Sequence, residues 1–305
     1  MTETVDGFVL VDKPVGLTSQ QCVTRVKRAL GAAKAGHAGT LDPLATGLLV
    51  VGLGRATRLL GYLSGQDKQY AATIRLGQAT VSDDAQGEWL GERTDATGLT
   101  TAAITAAMAA YAGDITQVPS AVSAIKVGGQ RAYALVRAGE EVTLTARAVT
   151  VTRFTLQARR DQDGWVDLDV TVDCSSGTYV RALARDLGRD LGVGGHLTAL
   201  RRTRVGTLSV AGAVTLEEIS TAAVRGLGEV AGLVAPRVDV PASAVPAITT
   251  GRAIDLDLGH LAALFADGRF LALYRPDPAP PGRARPVAVF ADPCVPAHLQ
   301  QTGCE

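Results

Sequence analysis

Residues 36–51 have the sequence Gly36-His37-Ala38-Gly39-Thr40-Leu41-Asp42-Pro43-Leu44-Ala45-Thr46-Gly47-Leu48-Leu49-Val50-Val51. The apolar run at the end is typical of a buried strand. In the loop before it, Pro43 biases Asp42 towards an extended or turn conformation, and the glycines permit positive φ and the close approach of another molecule. The pattern predicts a rigid loop that holds one carboxylate against the core. An aspartate in such a loop is also commonly a cap or turn residue, so residue types alone leave its role open.

The length and composition predict a two-domain globular protein. The chain has 305 residues, of which 47% are hydrophobic and 20% charged, which is ordinary for a globular protein. No apolar run approaches the ~18–20 residues that a membrane helix needs, and the first residues lack the basic start and long apolar core of a signal peptide. We therefore expect a cytoplasmic protein with no membrane contact.

Cysteine and histidine usage predicts neither disulfides nor a metal site. The four cysteines (22, 174, 294 and 304) include no CxxC pair, and the four histidines (37, 196, 260 and 298) are scattered. Free thiols in a reducing compartment and the absence of a zinc site follow from these spacings. We expect a monomer without metal.

The net charge of zero hides two basic segments. Residues 1–66 carry seven Lys/Arg against four Asp/Glu, and residues 174–210 carry six Arg against two Asp. If these segments meet in the fold, they provide the local basic face that phosphate binding requires. The alternative is that each is a solvated helix surface.

Hydrophobic periodicity predicts a mixture of helices and strands. Alternation or apolar runs indicate strands at 8–12, 48–53, 70–76, about 147–157, 165–174, 269–274 and 287–290. Helical spacing indicates helices from Thr18 or Ser19 to Leu30, at 56–63, at 100–112 and at 180–191. Because no regular βαβ alternation connects them, we predict the α+β class.

A change in composition predicts the domain boundary. The stretch 231–250 contains three prolines and many small residues, as linkers often do. We predict a catalytic domain over 1–238, with a basic excursion at about 118–139, and a small β-rich domain over 239–305.

Four blocks of the sequence resemble the TruB family of pseudouridine synthases, which act on uridine 55 of bacterial tRNA. Residues 36–49 match every fixed position of that family's signature loop, G-H-x-G-x-L-D-P-x-A-x-G-x-L. The other blocks lie at 67–87, 118–126 and 174–202, in the family's order. The resemblance implies a mixed-sheet pseudouridine synthase domain with an RNA-gripping insertion, and a PUA-like domain at the C-terminal end.

The resemblance also implies three catalytic residues. Asp42 is the nucleophile or base that acts on the target uridine, so that the base detaches, rotates and rejoins through carbon. Tyr70 stacks on the flipped base, and Arg181 pairs with Asp42 and contacts the phosphate. An everted uridine needs such a ring to stack on, and an adjacent guanidinium favours the charged form of a carboxylate.

Further contacts with the substrate are implied in the same way. Tyr179 and Leu200 line the base pocket, His37 fills space in the T loop beside the displaced nucleotide, and Lys13 lies near the site. The RNA contacts also include Lys126, Arg201 and Arg202. Because the isomerisation consumes no water, redox equivalent or energy donor, the resemblance implies that no cofactor is used, with the T arm of tRNA as the partner.

Two other functions stay open from the residues. One is a non-catalytic RNA-binding or RNA-chaperone module, for which base flipping is sufficient. The other is a dinucleotide-dependent oxidoreductase, suggested by the strand at 48–51 that leads into Gly52-Leu53-Gly54. That fragment has Thr57 where the dinucleotide fingerprint has its third glycine, which weakens the second alternative.

Overall fold

The computed structural model describes residues 5–120, 126–127, 130–131, 144–278 and 281–291. Helices and strands are mixed along the chain, so the predicted α+β class is confirmed. The helices are α1 (Ser19–Ala29), α2 (Leu60–Ser64), α3 (Thr101–Ala109), α4 (Val180–Asp190), α5 (Leu227–Val234) and α6 (Val245–Thr249).

The strands follow most of the predicted segments. The first nine are β1 (Gly7–Lys13), β2 (Ala35–His37), β3 (Thr46–Leu53), β4 (Lys68–Leu76), β5 (Ala79–Thr80), β6 (Trp89–Leu90), β7 (Gly113–Gln117), β8 (Lys126–Val127) and β9 (Gln130–Arg131). The others are β10 (Arg147–Gln162), β11 (Trp165–Cys174), β12 (Gly195–Val205), β13 (Leu208–Ser209), β14 (Arg237–Asp239), β15 (Ile254–Asp255), β16 (Ala262–Ala266), β17 (Arg269–Pro276) and β18 (Arg283–Val289).

Two sheets form the body of the molecule. The larger has the order β1-β3-β12-β4-β11-β10-β7, with β2 added to β3 and β13 to β12. Its strands are antiparallel except where β12 meets β3, at Arg201 opposite Thr46 and Arg202 opposite Gly47. The smaller sheet has the order β14-β16-β17-β18-β15.

Strands β1 and β3 are buried on both faces, which explains the unbroken apolar run at 48–51. One face of this pair packs into the core beneath α1, α3 and α4, and the other packs against α5 and the smaller sheet. The side chains on this second face include Phe8, Leu10, Leu48 and Val50. Burying one such side chain contributes about 1.5–3 kcal/mol. The Asp42 loop therefore enters a strand in which seven of eight residues are buried.

Helix α1 begins at a capping box, close to the predicted start. Thr18 Oγ1 accepts from the Gln21 amide at 3.2 Å, and Gln21 Oε1 accepts from the Thr18 amide at 2.8 Å. These bonds satisfy donors that helix starts otherwise leave open. Val23 and Val26 pack into the core, and the chain leaves the helix at Gly31 with φ +60°.

The segment 195–205 is the largest difference from the sequence-based expectation. The sequence does not predict a strand here, yet β12 lies inside the larger sheet, between β3 and β4. Its register against β4 shifts between Leu197 and Ala199 and again between Arg202 and Arg204. Two such irregularities break the period-2 pattern that identifies a strand in a sequence. A short hairpin of β5 and β6 also lies between β4 and α3, where the sequence predicts no strand.

Two predictions about organisation stay predictions. Most of the expected insertion at about 118–139 lies outside the described residues, which here include only β8 and β9 after Ser120. The smaller sheet begins at Arg237, near the predicted boundary after residue 238.

The pairing of β3 removes the dinucleotide-binding alternative. A dinucleotide-binding turn joins a strand to a helix in a parallel βαβ unit. Instead, β3 is antiparallel to β1 and to β2, and residues 54–59 after it form a 3₁₀ helix.

Candidate active site around Asp42

The loop that carries Asp42 is fixed from below by buried side chains. Ser19 Oγ accepts from the Leu41 amide at 2.8 Å and donates to the Leu41 carbonyl at 3.0 Å. The fully buried Lys13 donates from Nζ to the Ala45 carbonyl at 2.6 Å, and burial lowers the pKa of this lysine. Lys13, predicted near the site, thus lies beneath the loop and holds its backbone.

Arg181, in the first turn of α4, connects Asp42 to a second acidic loop. Its Nε lies 3.0 Å from Asp42 Oδ2, and its Nη1 donates to the Ser82 carbonyl at 2.8 Å. Nη1 also lies 3.5 Å from Asp84 Oδ2. The side chain of Arg181 is 6% exposed and that of Asp42 37% exposed. The guanidinium is therefore enclosed, while the Asp42 carboxylate reaches solvent.

The second acidic loop is itself rigid. Asp84 Oδ1 accepts from Ser82 Oγ at 2.6 Å and from the Gln86 amide at 3.0 Å. The Ala85 amide donates to the Leu197 carbonyl of β12 at 2.8 Å. Since both the carboxylate and the backbone of the loop are held, Arg181 has a fixed anchor on the side away from Asp42.

The buried side chain of Arg202 holds the Asp42 loop through hydrogen bonds to its backbone. Its side chain donates to the carbonyls of Leu48 at 2.7 Å, Gly39 at 3.1 Å and Thr40 at 3.4 Å, and the residue is 1% exposed. A Cβ on Gly47, whose φ is +95°, would collide with the Arg202 carbonyl oxygen and lie 2.9 Å from its amide nitrogen. Glycine at 47 thus allows the loop to approach β12.

Tyr70 lies beside Arg202. It is directly opposite Arg202 in the pairing of β4 with β12 and is 7% exposed. Burial raises the pKa of its hydroxyl, so the phenol stays neutral near pH 7. A neutral, enclosed ring suits stacking on a base, and its hydroxyl can hydrogen-bond.

These groups surround one cavity of about 330 Å³. It brings together six of the predicted site residues, Asp42, Tyr70, Tyr179, Arg181, Leu200 and Arg202, together with Lys68, Ser64, Val180, residues 39–41 and residues 177–178. The volume is at the lower end of the range for small-ligand sites. A carboxylate, an aromatic ring and a guanidinium therefore meet in a space suited to a single flat ring.

Among the described side chains, the other predicted residues lie outside this cavity. Arg201 makes a bidentate ion pair with Asp12, with Nη1 at 2.9 Å from Oδ1 and Nη2 at 2.6 Å from Oδ2. His37 is on β2, where its Nδ1 is buried without a hydrogen-bond partner in the part of the chain that is described and burial lowers its pKa. Lys126 lies on β8, and its side chain is outside the described residues.

The predicted contact of Arg202 with RNA stays a prediction, and the structure gives this residue a further role. Its guanidinium is enclosed and engaged with three backbone carbonyls in and beside the Asp42 loop. It therefore serves to position the loop.

Sequence reasoning gave no role to two residues that the site uses. Asp84 anchors Arg181. Lys68 lines the cavity and donates to the carbonyls of Gln66 at 2.6 Å and Ser64 at 2.8 Å; burial lowers its pKa to about 8. The available signals were the paired aspartates at 83–84 and a lysine two positions before Tyr70, on the same face of the strand.

The described residues contain no cluster of three or more His, Cys, Asp or Glu that could hold a metal ion. Over the same residues, every helix is too short or too polar to cross a bilayer.

Comparison with known proteins decides the family. Residues 27–180 match the model of the TruB family pseudouridylate synthase, N-terminal domain, and residues 181–232 match that of the tRNA pseudouridylate synthase B C-terminal domain. The chain is 53% identical to tRNA pseudouridine synthase B of Cutibacterium acnes over 93% of its length and 98% of the relative's. The chain belongs to the TruB family of pseudouridine synthases. The resemblance inferred from the four sequence blocks is confirmed.

Other members and a solved structure agree with this assignment. The tRNA pseudouridine synthase B of Mycobacterium tuberculosis is 50% identical over 95% of this TruB-family chain and 97% of its own. A chain of a Cbf5-Nop10-Gar1 complex superimposes with a TM-score of 0.72 and 26% identity, covering 94% of this chain and 85% of that one.

Proposed function

We propose that this chain converts uridine 55 in the T loop of tRNA into pseudouridine, with Asp42 as the essential carboxylate. The family membership supports pseudouridine synthase activity on tRNA. The observation that carries the residue assignment is the contact of 3.0 Å between Arg181 Nε and Asp42 Oδ2, at a cavity that Tyr70 also lines.

The reaction exchanges one bond of the ribose C1′ atom for another. The bond from C1′ to the uracil N1 breaks, the base rotates within the cavity, and a bond from C1′ to the uracil C5 forms. The proton on C5 leaves and N1 gains one, so the product has the same mass as the substrate. The Asp42 carboxylate acts as the nucleophile or as the base, and Arg181 holds it in position.

The cavity provides what a detached base requires. Tyr70 offers a ring to stack on, with Leu200 and Tyr179 on the walls. Enclosure keeps the base from diffusing away and limits the access of water before the new bond forms. The uridine has to leave its stack to enter, as bases do in other enzymes that modify them.

We also propose how the chain is organised around this reaction. Residues 1–238 form the catalytic domain, with an RNA-gripping insertion at about 118–139, and residues 239–305 form a PUA-like domain. In this proposal the chain acts as a cytoplasmic monomer.

The decisive experiment is incubation with an unmodified T-arm stem-loop, followed by chromatographic nucleoside analysis. The wild-type chain should yield pseudouridine. Asp42→Asn should lower turnover by about 10³-fold or more, as loss of a catalytic nucleophile does, while RNA binding persists. Asp257→Asn, at an exposed position, is the matched control and should turn over normally. Pseudouridine formed at the normal rate by Asp42→Asn would remove the assignment.

A further inference from the structure

One stretch of the chain contains basic residues and no acidic ones. Residues 13–41 contain no Asp or Glu but five cations, Lys13, Arg25, Lys27, Arg28 and Lys34. Lys13 is buried under the Asp42 loop, whereas the other four are exposed. These four lie on α1 and just after it, and we call them the α1 basic face.

The α1 basic face has no internal counter-charge. Among the described residues, none of its four side chains takes part in a hydrogen bond or an ion pair. Arginines of the larger sheet behave differently, since Arg153 and Arg204 pair with Asp173, and Arg201 pairs with Asp12. The uncompensated charge is therefore a property of α1 and not of every basic segment.

The position of α1 links this face to the site. The helix begins at Ser19, whose hydroxyl exchanges two hydrogen bonds with Leu41, the residue before Asp42. At a rise of 1.5 Å per residue, Arg25 and Arg28 lie about 9 and 14 Å along the axis from that start. Lys34 is more distant, because its carbonyl accepts from the Gly54 amide at 2.8 Å, at the end of β3 opposite the Asp42 loop.

We propose that the α1 basic face binds phosphates of the tRNA backbone on the α1 side of the everted uridine. Arginine and lysine are the usual partners of phosphate oxygens, and phosphate contacts supply most of the sequence-independent affinity for RNA. The inference rests on the proposed function and deepens it, because it assigns backbone binding to Arg25, Lys27, Arg28 and Lys34.

The test is a binding titration that does not depend on turnover. In an Asp42→Asn background, the dissociation constant of a labelled T-arm stem-loop is measured by fluorescence anisotropy between 50 and 300 mM KCl. The test variant changes Arg25, Lys27, Arg28 and Lys34 to Gln. The control variant removes the same charge by changing four exposed or part-exposed arginines that are ion-paired, Arg160, Arg189, Arg225 and Arg237, to Gln.

The expected result is specific in magnitude. Each lost phosphate contact lowers the slope of log Kd against log salt concentration by about 0.7–0.9. The slope of the test variant should therefore be smaller than that of the wild type by at least about 2, and the test variant should bind at least about 10-fold more weakly. The control should keep the wild-type slope. Lysine in place of Arg25 and Arg28 should retain most of the slope, because charge is preserved.

Contrary results are equally clear. An unchanged slope in the test variant, or an equal loss in the control, would overturn the proposal, and so would RNA binding that does not respond to salt. Thermal unfolding verifies that both variants fold, as expected for glutamine on exposed positions. Nucleoside analysis of the wild-type chain tests the proposed function separately, so the two failures are distinguishable.

Discussion

Tyr70 and Arg202 lie directly opposite each other on β4 and β12, and both side chains are enclosed. The ring and the guanidinium therefore belong to one rigid unit in the sheet. Arg202 also donates to three backbone carbonyls in and beside the Asp42 loop. The same arginine therefore fixes the position of the Tyr70 ring relative to the Asp42 carboxylate.

The first prediction concerns the anchor of Arg181. In Asp84→Asn, the Arg181 guanidinium loses a charged partner at 3.5 Å. Arg181 then positions the Asp42 carboxylate less precisely. We expect kcat to fall about 10- to 100-fold, or ~1.4–2.7 kcal/mol, with little change in KM. Steady-state kinetics on the stem-loop measure both constants. Asp95→Asn, in an exposed loop, is the control, and a kcat for Asp84→Asn within twofold of wild type would contradict the anchoring role.

The second prediction separates the ring of Tyr70 from its hydroxyl. Stacking of a base on an aromatic side chain is worth about 1–3 kcal/mol, so Tyr70→Leu should lower kcat/KM about 5- to 150-fold. Tyr70→Phe keeps the ring and should lose much less. Equal losses in the two variants would show that stacking is not the contribution of this residue.

The third prediction uses the pKa of Lys68, which burial lowers from 10.5 to about 8. The unfolded chain then binds more protons than the folded chain between these values, so stability rises with pH through that window. From pH 7.5 to 10, the wild type should gain roughly 2–3 kcal/mol of unfolding free energy relative to Lys68→Met. Urea unfolding at each pH measures the difference. A constant difference would mean that Lys68 titrates normally.

The fourth prediction concerns the approach of β3 to β12. Gly47→Ala places a methyl group against the Arg202 backbone at φ +95°, and we expect a loss of about 2–4 kcal/mol in unfolding free energy together with lower activity. Gly61→Ala, in α2 with open space around its Cβ position, should be neutral or slightly stabilising. Similar urea midpoints for the two variants would argue against the close approach.

Much of the site could be predicted because its residues lie in locally strong signals. The Asp42 loop, the capped start of α1 and the alternation of β4 each depend on neighbours in the sequence. Where the structure differs, the cause is long-range. Arg201 and Arg202 are adjacent and look equivalent in the sequence, but successive residues of a strand point to opposite faces, so one pairs with Asp12 and the other enters the core.

The same argument applies to the residues that were missed. The anchoring role of Asp84 depends on α4 bringing Arg181 to a loop almost a hundred residues earlier in the chain. No local pattern encodes that meeting. The irregular register of β12 likewise removed the alternation that would have placed it inside the sheet.

The double burial of β1 and β3 has a consequence for any shortened version of this protein. Without the smaller sheet, the apolar cluster that Phe8 and Leu10 share with α5 would lose Phe265, Leu273 and Phe290 from its cover and expose the apolar surface beneath them. A chain cut after residue 238 should precipitate on expression, as its soluble yield would show, even if the removed portion never touches RNA. The C-terminal part thus serves as structural backing for the reaction centre.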